Sequence, residues 1–227
     1  MRLVYINPNA TEAMTTSVVD VARKALPEAD IFGLTNHDGP PAIEGPEDGA
    51  RAVTGLLKLI PHAQALRADA IIIACFDDTG LDEMRKAAPC PVFGIGQSAY
   101  TMAQLIGAQF SVVTSLAVSV PVIEGNINTT GFGPICRSVR ASGLSVLTID
   151  AAMPDTVARL SDEINLAQTQ DGATAVVLGC AGMARLQTAL GTTTDIPLID
   201  GVAASAHLAH TTLRFLHSQD TYPTETP

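Results

Sequence analysis

The chain has 227 residues, 47% of them hydrophobic, enough for one large or two small cores and unlike a disordered chain. Thirteen basic residues against 23 acidic ones give a formal charge of −10, leave no basic patch to neutralise phosphates, and exclude a nucleic-acid partner. No apolar run approaches the roughly 20 residues that cross a bilayer, Met1 to Asn9 turns polar too soon for a signal peptide, and four cysteines without scaffold spacing read as reduced thiols, so a cytoplasmic protein off the membrane is expected.

Short apolar runs rich in Val and Ile alternate with helical periodicity, which predicts βα units and mostly parallel sheet. A strand over 2–6 leads through Asn7-Pro8-Asn9 to a helix with the stripe Met14, Val18, Val21, Ala22 and Ala25, with Thr11 as its N-cap. A strand over 30–35 precedes a helix over 47–66, and a strand over 70–74 runs into Cys75. Thr79-Gly80-Leu81-Asp82 resembles a capping box for a helix over 81–88, although Asp is a weaker partner there than Glu or Gln. A strand over 91–95 and a helix over 98–106 follow. Beyond them come strands over 110–114, 145–149, 174–179 and 197–199, and helices over 154–170, 183–190 and 202–217, with a tail over 218–227 expected to fray.

Eight strands also suit a TIM barrel, but an internal repeat and uneven spacing argue against it. Ala70-Ile71-Ile72-Ile73-Ala74-Cys75 is matched by Ala175-Val176-Val177-Leu178-Gly179-Cys180, and each cysteine stands 21 residues before a glycine, Gly96 or Gly201, that closes its unit. Val4 to Asn9 is likewise echoed by Val112 to Ala117, with Thr114 at the strand end. The expected fold is therefore α/β, with two pseudo-symmetric halves, each a mostly parallel four-stranded sheet flanked by helices. The cleft between them would collect polar strand ends and both thiols.

One cysteine ending an apolar strand is ordinarily a small buried hydrophobe. Two at equivalent points of a repeat suggest an acid and a base, with helix N-termini lowering each thiol pKa toward neutrality. Such a pair, one on each face of a carbon acid, would interconvert enantiomers through a planar enolate. The backbone N–H groups of Asp77-Asp78-Thr79 and Ala181-Gly182-Met183 would hold the developing oxyanion, with Gly182 allowing close approach. The side chains of Asp77 and Asp78 either oppose thiolate formation or turn away to cap a helix. Cys90 and Cys136 have no counterparts in the repeat and read as structural. His207 and His210 lack a third metal ligand, Gly94-Ile95-Gly96 lacks the third glycine of a dinucleotide fingerprint, and Lys24, Lys58 and Lys86 give pyridoxal phosphate no anchor, so neither metal nor cofactor is expected.

Asn7-Pro8-Asn9, Ile43-Glu44-Gly45, Ala74-Cys75-Phe76-Asp77-Asp78-Thr79-Gly80-Leu81, Gly94-Ile95-Gly96, Leu178-Gly179-Cys180-Ala181-Gly182-Met183 and Pro197-Leu198-Ile199-Asp200-Gly201 together resemble the hydantoin racemase branch of the aspartate/glutamate/hydantoin racemase superfamily over residues 3 to about 216. The resemblance implies two domains, 1–97 plus 201–227 and 98–200, a cofactor-independent mechanism, a small-molecule substrate and a homo-oligomer. It makes Cys75 and Cys180 the catalytic pair, places Asn9 on the substrate ring, lines the pocket with Ile43, and uses the backbone after each cysteine for the ring carbonyls. Phe76-Asp77 stands where amino-acid racemases of the superfamily have Asn-Thr, which disfavours free aspartate or glutamate. Thr79 replaces a common Pro, and Gln97 a common Glu.

A 5-monosubstituted hydantoin is the leading substrate reading, with allantoin, a 5-ureidohydantoin, as the alternative. A decarboxylase of the same fold generally needs one cysteine, and a two-lobed binding protein gives no reason for a thiol at the same point of each half. Phe76, Asp77 and Ile43 hint at substrate choice without deciding it.

Overall fold

The computed structural model describes residues 1–219. The expected fraying of the tail therefore falls, but for its first two residues, outside the described residues. In chain order the elements are β1 (Arg2–Asn7), α1 (Glu12–Ala25), β2 (Asp30–Thr35), α2 (Pro46–Lys58), α3 (Ile60–Ala65), β3 (Ala70–Ile73), α4 (Leu81–Ala87), β4 (Val92–Gly94), α5 (Ile95–Leu105), β5 (Phe110–Thr114), α6 (Val120–Thr129), β6 (Cys136–Ala141), α7 (Val146–Ala151), α8 (Pro154–Thr169), β7 (Ala175–Gly179), α9 (Gln187–Leu190), β8 (Leu198–Asp200) and α10 (Gly201–Gln219).

Two four-stranded sheets form, ordered β2-β1-β3-β4 and β6-β5-β7-β8, and every pairing is parallel. The second order is the first with each strand replaced by its repeat partner. The internal duplication read from the cysteines is thus a duplication of sheet topology.

Both faces of each sheet are covered at its centre, so the inner strands β1, β3, β5 and β7 are largely apolar and buried. Residues of alternating parity go to opposite sides. In the first sheet Leu3, Tyr5 and Ile72 meet Val18 and Ala22 of α1 and Val202, Ala206 and Leu213 of α10, while Val4, Ile6, Ile71 and Ile73 meet Leu56, Ile60 and Met84. In the second sheet Val113, Val176 and Leu178 meet Leu160, Ile164 and Ile149. Its other face, Phe110, Val112 and Val177, meets Ala99, Tyr100 and Ala103 of α5 and Ile123 and Ile127 of α6. Ala181 and Ala184, which follow Cys180, are part of the core of the first sheet. The halves interleave here.

Four expectations are corrected. The strand expected over 145–149 is α7: Ser145 accepts a hydrogen bond from the Thr148 N–H, and this N-cap turns a β-branched run into a helix. The fourth strand of that sheet is β6, an edge strand whose half-exposed Cys136-Arg137-Ser138-Val139-Arg140-Ala141 has no apolar face to betray it. The single helix over 47–66 is two, parted at Leu59, where Pro61 has no N–H to continue the ladder. The capping box is absent: α4 starts after Gly80 in the left-handed conformation (φ 69°) with no side-chain cap. Thr11 does precede α1, but its hydroxyl donates to the Pro41 carbonyl oxygen at 2.7 Å and not to the helix.

The β6 edge is held by charge. Arg140 donates to Glu163 at 2.8 Å and to both oxygens of Asp171 at 3.1 Å, Arg159 donates to Glu163 at 2.7 Å, and Ser138 donates to Asp171. The Glu163 and Asp171 side chains are only 10% and 16% exposed. Arg140→Ala takes the guanidinium away from Asp171 and leaves Glu163 to Arg159, and removing one partner costs about 3 kcal/mol or more in buried pairs. A drop in melting temperature of roughly 6–12 °C is expected by thermal circular dichroism; a drop under 2 °C would show that water already solvates the pair.

Candidate active site

Cys75 lies two residues beyond β3, and Cys180 follows β7 directly, so the thiols stand at the carboxyl ends of equivalent strands. Both are free, and both line one cleft. The first half adds Asn9, Met14, Ile43, Ala74, Phe76 and Asp77 to its walls. The second adds Ser115, Ser119, Val146, Gly179 and Ala181.

The local structure around each sulfur is repeated. The amide of Asp77 donates to the Cys75 sulfur, and that of Gly182 donates to the Cys180 sulfur. One residue on, the N–H of Asp78 donates to the Cys75 carbonyl oxygen and that of Met183 to the Cys180 carbonyl oxygen, both at 3.0 Å. Cys75 differs in one contact, a hydrogen bond from the Thr79 hydroxyl at 3.5 Å.

Of the residues singled out in the sequence, Asn9, Ile43, Cys75, Phe76, Asp77, Cys180 and Ala181 come together on the cleft. Asp78, Thr79, Thr114, Gly182 and Met183 stand behind it. Asp78 accepts from the amides of Gly96 at 2.9 Å and Gln97 at 2.7 Å, so it caps α5 and not the helix that follows it. Thr114 donates to the Gly179 carbonyl oxygen at 2.8 Å, and Met183 is fully buried in the second core. Gly182 packs against Ile149 and Asp150 of α7. Gly94 and Gly96, which looked like a broken nucleotide motif, have a steric reason: a Cβ at Gly94 would overlap the Asp78 carboxylate, and one at Gly96 the Phe76 carbonyl oxygen.

Asn9 is held by its neighbours, its Oδ1 accepting from Asn7 Nδ2 and the Thr11 N–H, both at 2.9 Å, while its own Nδ2 has only the Met14 sulfur at 3.4 Å. Phe76 meets Tyr100 edge to face, with centroids 5.6 Å apart. Met14, Ser115, Ser119 and Val146 were not picked out. Ser115 alone carried a signal, at the strand end that echoes Asn7. Two further contacts cross between the halves: Glu44 accepts from the Val146 N–H at 2.8 Å, and Asn126 of α6 donates to the Asp77 carbonyl oxygen at 2.8 Å.

The electrostatics differ from the expectation of lowered thiol pKa values. Burial pushes Cys180 up to about 12 and Cys75 well above its ordinary value, and the Asp77 carboxyl raises both further. The helix dipole does not offset this, because α4 begins six residues after Cys75 and a 3-10 segment, Ala181–Leu186, follows Cys180. Burial also pushes the Asp77 carboxyl up to about 7, and Oδ2 of Asp77 is buried without a hydrogen-bond partner.

Twin sheets with a thiol at the matching strand end of each are the build of a racemase. Comparison with known proteins gives the family: a model described as Asp/Glu/Hydantoin racemase matches residues 3–209, and the chain belongs to that family as an isomerase. It is 41% identical over 214 residues to a hydantoin racemase of Rhizobium meliloti, covering 94% of this chain and 89% of the relative. Among solved structures, an allantoin racemase from Klebsiella pneumoniae superposes with a TM-score of 0.90 at 32% identity, covering 100% of this chain and 95% of that one. The allantoin racemase of Pseudomonas fluorescens gives 0.87 at 30% identity, over 95% and 92% of the two chains. The family read from the six sequence blocks is the family matched. Among the described residues, no helix is long and apolar enough to cross a membrane.

Proposed function

We propose that the chain racemises 5-monosubstituted hydantoins by two-base proton transfer at C5. The observation that carries this reading is the arrival of Cys75 and Cys180 on one cleft from equivalent strands of two sheets. One sulfur, as thiolate, takes the C5 proton; the electron pair passes into the C4 carbonyl as a planar enolate; the other sulfur, as thiol, returns a proton to the opposite face. Asn9, Ile43, Phe76 and Ala181 would contact the ring, and Asp78, Thr79, Thr114, Gly182 and Met183 would hold the walls and sulfurs in place.

The cleft lining has no Lys, Arg or His, which suits a neutral ring better than an amino-dicarboxylate. The 41% identical relative is named for hydantoins. Allantoin is the second reading, favoured by the whole-chain superposition on an allantoin racemase and by Asn9, Ser115 and Ser119 in the lining, which could meet a ureido group. Both chemistries need reduced thiols, which fits a cytoplasmic setting. Leu105, Ile106, Phe215 and Leu216 leave apolar surface at the ends of α5 and α10, in keeping with a homo-oligomer.

The test is to incubate enantiopure hydantoins with aliphatic, aromatic and ureido substituents in D2O, following optical rotation and deuterium at C5. Loss of rotation with deuterium gain is the expected result, and the fastest substituent class assigns the substrate. A protein that changes neither signal with any of them is not a hydantoin-type racemase.

A further inference from the structure

The enolate needs a donor at its oxygen, and four of the backbone amides beside the cysteines are already engaged. Of the six residues following the two cysteines, the amides of Asp77 and Gly182 point to sulfur, and those of Asp78 and Met183 to carbonyl oxygens. Among the polar side chains on the cleft, Asp77 has a carboxyl oxygen, Oδ2, that is buried and unpartnered. Resting on the reading of the chain as a hydantoin-type racemase, we propose that Asp77 is a catalytic acid that stays neutral in the reacting complex and donates its O–H hydrogen bond to the carbonyl oxygen where the enolate charge develops.

Charge in the cleft supports the neutral form. The reaction requires a thiolate, and no cationic side chain lines the cleft to balance a carboxylate beside it. The titratable groups that face Asp77 are Cys75 after β3, Cys180 after β7, Asp78 beside it and Tyr100 of α5, with Glu83 of α4 across the adjoining outer groove. None is a cation. Asn126 of α6 holds the Asp77 backbone carbonyl and so fixes the residue without neutralising its carboxyl. The protons balance: the C5 proton forms an S–H bond on one cysteine, the second cysteine releases its proton to the opposite face of C5, and Asp77 keeps its proton throughout. A buried carboxylic acid kept neutral to donate to an oxyanion is chemically established elsewhere.

The pH dependence follows from counting protons. Asp77 as carboxylate with both thiols protonated carries one negative charge, as does neutral Asp77 with one thiolate, so the two forms keep a constant ratio. Activity of the wild type therefore rises as pH passes about 7, where the first proton leaves, and then levels. With Asn at this position the thiolate can form only by net loss of a thiol proton, with no Asp77 proton to exchange for it, and activity should keep climbing up to about tenfold per pH unit.

The experiment is kcat and kcat/KM between pH 6 and 8.5 for the wild type, Asp77→Asn and Asp77→Ala, on the best hydantoin. Asp77→Ala should lose about 10²–10³ in kcat, the usual worth of one oxyanion donor. Asp77→Asn keeps an N–H donor, so it should exceed Asp77→Ala at least roughly tenfold at pH 8.5 on the same reasoning, with a profile that still climbs where the wild type is level. Folding is read by thermal melts. The folded-state pKa of Asp77 lies above its unfolded value, so its ionisation weakens the fold as pH rises from about 4 to 7, and Asp77→Asn should melt no lower than wild type at pH 8. Indistinguishable Asn and Ala variants, a wild-type pH profile in Asp77→Asn, or an Ala variant with full kcat overturns the assignment. A wild type that neither racemises nor exchanges overturns the underlying function instead.

Discussion

Cys75→Ser and Cys180→Ser are each expected to lower racemisation by about 10²–10⁴, the range for loss of a positioned acid or base. Serine keeps the shape of the site and the hydrogen bond from the Asp77 or Gly182 amide, but its hydroxyl is too weak an acid to supply the oxyanion that would replace a thiolate. The two variants should differ in a telling way. With one sulfur gone, the enantiomer that presents its proton to the remaining sulfur can still exchange C5 hydrogen with D2O without inverting, and the opposite variant should exchange the opposite enantiomer. Proton NMR of each pure enantiomer alongside polarimetry checks this. A single variant that racemises at the wild-type rate would sink the two-base scheme. Melting temperatures close to wild type are expected, since no large side chain is removed.

Gly96→Ala is expected to be among the most damaging small changes in the molecule. The new methyl would overlap the Phe76 carbonyl oxygen and press on the Asp78 carboxylate that caps α5. Overpacking of this kind costs about 1–3 kcal/mol, or roughly 2–12 °C in melting temperature for a chain of this size. The backbone that must yield lies one residue from Cys75, so the sulfur shifts with it, and a displacement near 1 Å is enough to cost about 100-fold in rate. Thermal melts and racemisation assays on the same preparation separate the two effects. A variant that loses stability but keeps its rate would mean that the strain is absorbed in α5 and not in the Phe76 turn.

The sequence was informative where burial leaves a local mark. Seven of the eight expected strands appear, because strands covered on both faces are continuous apolar runs, and the thiol pair was legible because duplication sets the same residue at the same strand end twice. Where the deciding contact is distant, the reading failed. The β6 edge owes its place to Arg140 reaching Glu163 and Asp171, not to hydrophobic alternation. Helix α6, with Pro121, Gly125 and Asn128, has weak helix propensity and escaped notice. Ser119 and Val146 reach the cleft only because the second half folds back on the first. The thiol pKa values were misjudged for a related reason: strand ends suggested helix dipoles, while burial, which depends on the whole fold, sets their direction.

Ala181 and Ala184 are packed in the core of the opposite sheet, so the segment that carries Cys180 forward is anchored to the half that carries Cys75. If the cleft opens, the gap between the two sulfurs is clamped, and the give lies at the far rim, where Glu44 meets Val146. Substituents of different bulk would then be admitted by yielding at the rim while the spacing across the reacting carbon stays the same. Substrate range and reaction geometry would be able to change independently, one through residues 43–45 and 146, the other only through the core.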